Sequence, residues 1–420
     1  MMRAAYALAW ALATPLILLR LAWRSRRLRG YLERLGERFG RYEPAAAGPR
    51  IWVHAVSVGE TRAAAPLVDA LAARYPGHRI LLTHMTPTGR ATGVEILGER
   101  VERAWLPYDY GFAVRRFLSH FRPAFGIVME TEIWPRLLEE CARSGVTVLL
   151  ANARLSEKSA HRYARFPRLT RWALANLAGI AAQTEADAER FAALGAARPA
   201  VTGNIKFDLE VPEASLALGG VLRRRFGERR RVIVAGSTRD GEEALLLEAF
   251  ARAAPPEALL VLVPRHPQRF DAVEASVRAL GLGVARRSAD VPVEAAVRVV
   301  VGDSMGEMLA YYACADVVIV GGSLLDFGAQ NLIEPCALGK PVVVGPSTYN
   351  FEEAARGAVA AGAAVQVAGA VAAVKEALAI AADAERALRM GRRAREFAEA
   401  NRGALARLLA WIGENTARAA

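Results

Sequence analysis

The chain has 420 residues, 53% of them apolar and 23% charged, which is too long for one hydrophobic core and too apolar for a long disordered region. Its three cysteines, Cys141, Cys314 and Cys336, lie far apart with no CxxC spacing, so neither a disulfide framework nor a zinc site is expected and a reducing compartment is. The formal charge of +12 is concentrated rather than spread. Arg20, Arg24, Arg26, Arg27, Arg29, Arg34, Arg38 and Arg41 stand against Glu33 and Glu37, and no aromatic-basic stripe accompanies them, which argues against a nucleic-acid partner.

The chain opens on an apolar run, Ala4 to Leu19, that leads into this basic cluster. An apolar run followed by arginines reads as an anchor facing an anionic cytoplasmic leaflet, with residues 24 onward in the cytoplasm. At about 1.5 Å per residue the run reaches roughly 24 Å, short of a hydrocarbon core of roughly 30 Å. If Arg20 snorkels, the anchor extends to Trp23, and both a single span and an in-plane helix remain open. Residues 1–23 are thus read as the anchor and 24–50 as a basic interfacial segment.

From residue 51 the pattern is β-α alternation: IWVHAV, RILLTHM, ERAWLP, AFGIVME, TVLLANA and GIAAQT are short apolar runs, each followed by a helix or turn. This predicts a parallel-sheet, Rossmann-like domain over 51–207. Residues 208–231 carry Pro, Gly and charge and read as a linker with one helix. The alternation restarts with RVIVAGS, ALLVLVP, VRVVVGDS, DVVIVGGS and PVVVGP, which predicts a second Rossmann-like domain over 232–383, with one long closing helix in 384–420. The fold class is α/β, two such domains facing a central cleft.

Ligands in such sheets bind at the carboxyl ends of the strands, so residues there are the candidates. Glu60 follows the run IWVHAVSVG and opens a helix, where it is either a capping acid or a catalytic base. METEIWP adds Glu130 and Glu132, whose charges would raise the pKa of a neighbouring acid. THMTPTGRATG is a hydroxyl-rich turn bearing Arg90, while NARLSEKSA and GNIKFD supply Arg154, Lys158 and Lys206. Only four of the 55 basic residues are Lys, which draws attention to Lys158, Lys206 and Lys340.

In the second half, AGSTRDGEE places Ser237 and Thr238 at a strand-to-helix turn that suits an anion, although it is neither a Walker loop nor GxGxxG. PRHP makes a rigid basic corner of Arg265 and His266. GGSLLDFGAQNLIEP offers Gly321, Gly322 and Ser323 for close approach of a phosphate, with Asn331 and Glu334 toward ribose hydroxyls. Together these describe a nucleotide-sugar site.

HAVSVGE, TPTG, METEIWP, NARLSEKS, GNIKFD, GSTRDGEE, PRHP, GDSMGEM and GGSLLDFGAQNLIEP closely resemble the family of 3-deoxy-D-manno-octulosonic acid (Kdo) transferases. The resemblance implies a GT-B fold with an N-terminal anchor at the inner membrane, and inverting, metal-independent transfer of Kdo from CMP-Kdo to the tetraacyl disaccharide bisphosphate precursor of lipid A. By the same resemblance, Glu60 is the general base. Arg90, Lys206 and the PRHP corner meet the donor's carboxylate and phosphate, and GGS with Asn331 and Glu334 holds CMP. Two rivals stand beside it: another GT-B enzyme, using a UDP-sugar or epimerising one, and a membrane-anchored binding protein on an inactive transferase fold.

Overall fold

The computed structural model describes residues 2–26, 30–44 and 46–417, so Arg27 and Arg29 of the basic cluster lie outside the described residues. The chain forms two compact units, residues 1–205 with 403–420, and residues 206–402.

The first unit is built on seven strands: β1 Arg50–His54, β2 Arg79–His84, β3 Val101–Trp105, β4 Pro123–Met129, β5 Thr147–Ala153, β6 Gly179–Ala182 and β7 Ala200–Val201. They form one parallel sheet in the order β3-β2-β1-β4-β5-β6-β7. Alternate residues of β1 feed opposite faces, Ile51 and Val53 one core and Trp52 the other, as expected where helices cover both sides. The Trp52 ring packs closely on β4 because Gly126 has no side chain; a Cβ there would stand 2.4 Å from it.

The second unit repeats the plan with β8 Arg231–Thr238, β9 Ala258–Pro264, β10 Gly283–Arg286, β11 Val297–Val301, β12 Val317–Val320, β13 Val342–Val344 and β14 Ala364–Gln366. Its parallel order is β10-β11-β9-β8-β12-β13-β14. The sequence reading missed β7, β10 and β14. All three are short strands at sheet edges, where one side needs no apolar run.

Two expected boundaries differ from the structure. The stretch 208–231 is not a free link: helix Glu213–Phe226 buries Leu222 and Phe226 in the core of the second unit. The single closing helix is two helices, Ala384–Ala400 and Ala404–Ala417, separated at Gly403, whose φ of 84° is unsuited to a continuing helix. The first packs in the second unit, through Met390, Ala394 and Ala398. The second returns to the first unit, where Ala404, Leu408 and Ile412 join its core.

The apolar N-terminal run forms helix Met2–Ser25, and one face of it is docked on the first unit. Tyr6 donates to the buried Asp109 carboxylate at 2.6 Å, and the Tyr110 hydroxyl donates to the Trp10 carbonyl at 3.0 Å. The Trp10 ring stands among Tyr108, Tyr110 and Trp134. The opposite face exposes Leu8, Leu12, Leu16, Leu19 and Trp23, each more than half accessible.

Candidate active site

In the first unit the strand order turns back between β1 and β4, which opens a crevice beyond their carboxyl ends. Glu60 stands after β1 and Glu130 and Glu132 after β4, so the three acids picked out by sequence meet at this switch point. The helix after β1, Val58–Arg74, starts on Ser57, whose side chain caps the Glu60 N–H at 3.3 Å. The Glu60 carboxylate turns back to accept the Val56 N–H at 2.6 Å and the Ser57 hydroxyl at 3.1 Å. Glu60 is therefore a capping acid, and its cap bonds also fix where its carboxylate sits.

Burial pushes the Glu60 carboxyl up to about 7, the negative Glu130 beside it adds to the rise, the Val56 N–H opposes it, and Glu132 contributes further. The helix start alone argues for a fully ionised acid; with these neighbours it is poised between its two forms at neutral pH. Glu130 is 5% exposed and holds a left-handed φ of 56°, a strained backbone at a strand exit. Arg154 lies over it, Nε to carboxylate 3.4 Å. Glu132 accepts the Trp134 indole N–H at 2.9 Å, and its own pKa is raised by burial.

Lys158 is exposed on the first turn of helix Glu157–Ala164. Arg90 lies on the first turn of helix Pro87–Leu97, over the Trp105 ring. Lys206, expected in the first domain, belongs to the second unit, where its ammonium stands 5.2 Å from the Phe351 ring centroid. Lys340 has a structural contact: its half-buried ammonium donates to the Ala315 carbonyl at 2.8 Å.

The second unit has its own switch point, between β8 and β12. Ser237 and Thr238 end β8, Gly321, Gly322 and Ser323 follow β12, and Arg265 joins them through its N–H to the Thr238 carbonyl at 3.0 Å. Gly321 is required by closeness, since a Cβ would stand 2.5 Å from the Ser237 carbonyl oxygen. His266 is exposed, accepts from Arg239 at 3.2 Å, and has its pKa lowered by burial and by Arg239, Arg265 and Arg269 around it. This is the basic corner expected of PRHP, with Arg239 as a further member. The Asn331 amide donates to Glu334 at 3.0 Å, while its carbonyl oxygen caps Ile333.

The glycines of GGS leave room beside the backbone, but two of its amides are already taken: Gly322 N–H donates to Glu242 at 2.7 Å and Gly321 N–H to the Gly236 carbonyl at 2.8 Å. Glu242 is fully buried and also accepts the N–H groups of Leu324 at 2.9 Å and Arg239 at 2.8 Å. Glu243, also buried, accepts from Thr238 and Arg269. Neither acid was singled out by sequence reasoning, although both lie in GSTRDGEE, where paired acids after a glycine signal a helix start. They hold the strand exits in place and occupy the amides of Gly322, Leu324 and Arg239.

The family described as 3-deoxy-D-manno-octulosonic-acid transferase (kdotransferase) matches residues 33–209. The 3-deoxy-D-manno-octulosonic acid transferase of Bordetella pertussis is 45% identical, over 98% of this chain and 100% of its own length. The Haemophilus influenzae protein of the same name is 37% identical, over 94% of each. Among solved structures, the UDP-GlcNAc 2-epimerase of Neisseria meningitidis, bound to UDP-GlcNAc, matches with a TM-score of 0.59 over 88% of this chain and 100% of its own, at 16% identity. That likeness concerns the fold alone.

Proposed function

The chain belongs to the 3-deoxy-D-manno-octulosonic acid transferase family, and from that premise we propose that it moves Kdo from CMP-Kdo, with inversion, onto a hydroxyl of the lipid A precursor. Glu60 takes the proton of that hydroxyl as its oxygen bonds to the anomeric carbon, and the bond from that carbon to the CMP phosphate oxygen breaks with its electron pair leaving on CMP. The observation that carries this reading is the Glu60 carboxyl held near 7 beside Glu130 and Glu132. A base must be ionised enough to accept a proton and basic enough to keep it, and that value meets both needs at neutral pH.

The donor is assigned to the second unit. Arg265, His266 and Arg239 form its basic corner, Lys206 adds a cation, Ser237 and Thr238 with Gly321, Gly322 and Ser323 shape the floor, and the Asn331–Glu334 pair suits ribose hydroxyls. A leaving group with one phosphate carries less charge than a diphosphate, so basic side chains suffice to stabilise it and no metal is required. The acceptor is assigned to the first unit, which carries helix Met2–Ser25 with its apolar outer face and exposed Arg20, Arg24 and Arg26. This suits an anionic lipid surface, and we place the protein at the cytoplasmic side of the inner membrane.

The test is Glu60→Gln, assayed by mass spectrometry of lipid A precursor incubated with a CMP-Kdo supply, with CMP binding measured alongside by calorimetry. CMP binding is retained and transfer falls by about three orders of magnitude, the range expected on losing a positioned base. Transfer at the wild-type rate would remove Glu60 from the chemistry.

A further inference from the structure

Arg90 is a half-buried cation that, among the described residues, makes no ion pair, and its Nη1 has no hydrogen-bond partner. It starts helix Pro87–Leu97, and the turn before it is pinned to the strand exit that carries Glu60. Thr86 donates to the Val56 carbonyl at 2.7 Å, and a Cβ on Gly89 would stand 2.6 Å from that same oxygen. Val56 in turn donates its N–H to Glu60. On its other side the turn meets the segment that leaves helix Met2–Ser25: a Cβ on Gly30 would touch Pro87 at 3.0 Å, and Arg38 donates to the Met85 carbonyl at 3.2 Å.

The guanidinium carbons of Arg90 and Arg38 lie 5.4 Å and 4.4 Å from the centroid of the same Trp105 ring. Among the described residues, Arg90 Nη1 and Arg38 Nε are buried with no hydrogen-bond partner. The nearby Glu37 makes no hydrogen bond to either: its carboxylate accepts the Trp105 N–H at 2.7 Å and Arg34 at 3.3 Å, and it acts on Arg90 and Arg38 only through its charge. Burial lowers the Arg90 pKa, Glu37 and Glu33 oppose that, and the like charges of Arg34 and Arg103 add to it, so the nearby carboxylates only partly offset the cost of keeping this cation charged. Buried guanidinium N–H groups without acceptors are costly, and a ligand that supplies the acceptors recovers that cost.

We propose that Arg90, backed by Arg38, forms a phosphomonoester subsite in the first unit that holds a phosphate of the lipid acceptor while its hydroxyl is presented to Glu60. The proposal rests on the acceptor reading above and reassigns Arg90 from the donor, because its surroundings are the anchor segment on one side and the Glu60 loop on the other. A guanidinium fork fits a phosphate with two parallel bonds, which a lysine at this position would not give.

The experiment is steady-state transfer by Arg90→Gln and Arg90→Lys on the bisphosphorylated acceptor and on the same lipid with its phosphates removed. Arg90→Gln loses about 10- to 100-fold in kcat/KM on the phosphorylated acceptor, through KM, as expected for charge-assisted bonds. Arg90→Lys falls between it and wild type, and the penalty shrinks to less than about threefold on the dephosphorylated lipid, where the lost bonds had no acceptor. An equal penalty on both lipids, or a rise in KM for CMP-Kdo instead, overturns the proposal.

A binding arm needs no turnover. Fluorescence is recorded with Trp105→Phe as the control that isolates that ring, on adding the phosphorylated lipid, the dephosphorylated lipid or inorganic phosphate. A Trp105-dependent change on the phosphorylated lipid alone supports the subsite. The same change with inorganic phosphate at equal concentration overturns the lipid assignment. Absence of transfer by the wild type with this change intact would sink the Kdo reading and leave the subsite standing.

Discussion

On the proposed assignment the chemistry turns on Glu60, a carboxylate whose charge is set first by burial and then by Glu130. Because burial and Glu130 hold the Glu60 carboxyl near 7 against an ordinary value of 4.5, the rate of transfer should rise with pH through that region as the base deprotonates. Glu130→Gln removes the nearer charge, so the midpoint of the pH–rate profile should move down toward the usual carboxylate range; an unmoved midpoint would show that burial acts alone. The stability effect has the opposite sign. A carboxyl raised in the fold favours the protonated state, so its contribution is present below about pH 4.5 and is lost as pH rises through about 7. Glu60, Glu130 and Glu132 were legible in the sequence because a strand run ending in an acid places that acid at a sheet's open end. Glu242 was not, and neither was the spent state of the Gly322 amide, since a motif gives the residue types but not which donors are already consumed within the loop.

At the scale of the element, helix Met2–Ser25 shows what an apolar pattern leaves open. Both of its faces are apolar, so the sequence offered a span and an in-plane helix equally. The distinction lies in the docked face, where Arg3 pairs with Glu139 at 2.7 Å, Tyr6 meets Asp109, and Leu21 is buried near the other end. A helix held against the first unit in this way leaves one apolar side uncovered, and on the proposed membrane reading that suits an orientation along the membrane surface. The two faces should respond separately to mutation. Leu12→Ser with Leu16→Ser should weaken partition into vesicles of phosphatidylethanolamine and phosphatidylglycerol with little change in Tm, as both side chains are 69% exposed. Trp10→Ala should cost about 3 kcal/mol of stability in the first unit, the usual loss for a packed aromatic, and should be read by thermal unfolding in detergent.

At the scale of the molecule, the two sheets were legible because buried parallel strands are near-continuous apolar runs. The short edge strands β7, β10 and β14 and the break at Gly403 were not, because these strands lack that signal, whereas the longer edge strand β3 carries it, and a left-handed glycine between two helical patterns looks like an ordinary helix interior. The break has weight because it sends Ala404–Ala417 to the first unit. There Arg407 donates to the Thr202 carbonyl at 2.9 Å and Arg74 to the Leu409 carbonyl at 3.1 Å, while Leu408 is fully buried. Leu408→Ala should destabilise the first unit by about 3 kcal/mol and leave the second unit's transition in place, which differential scanning calorimetry can separate. A single cooperative transition shifted as a whole would mean that the units unfold together.

That returning helix also sets an order of events on the ribosome. Residues 206–402 are contiguous and can close their core as soon as they emerge, whereas the first unit, although its sheet is translated earlier, lacks one wall until residues 404–417 arrive. Nascent first unit therefore waits with an unfinished core for the whole time the second is being made. Holdase chaperones would be expected to bind it during that interval, and pausing translation within the second unit should lengthen its exposure.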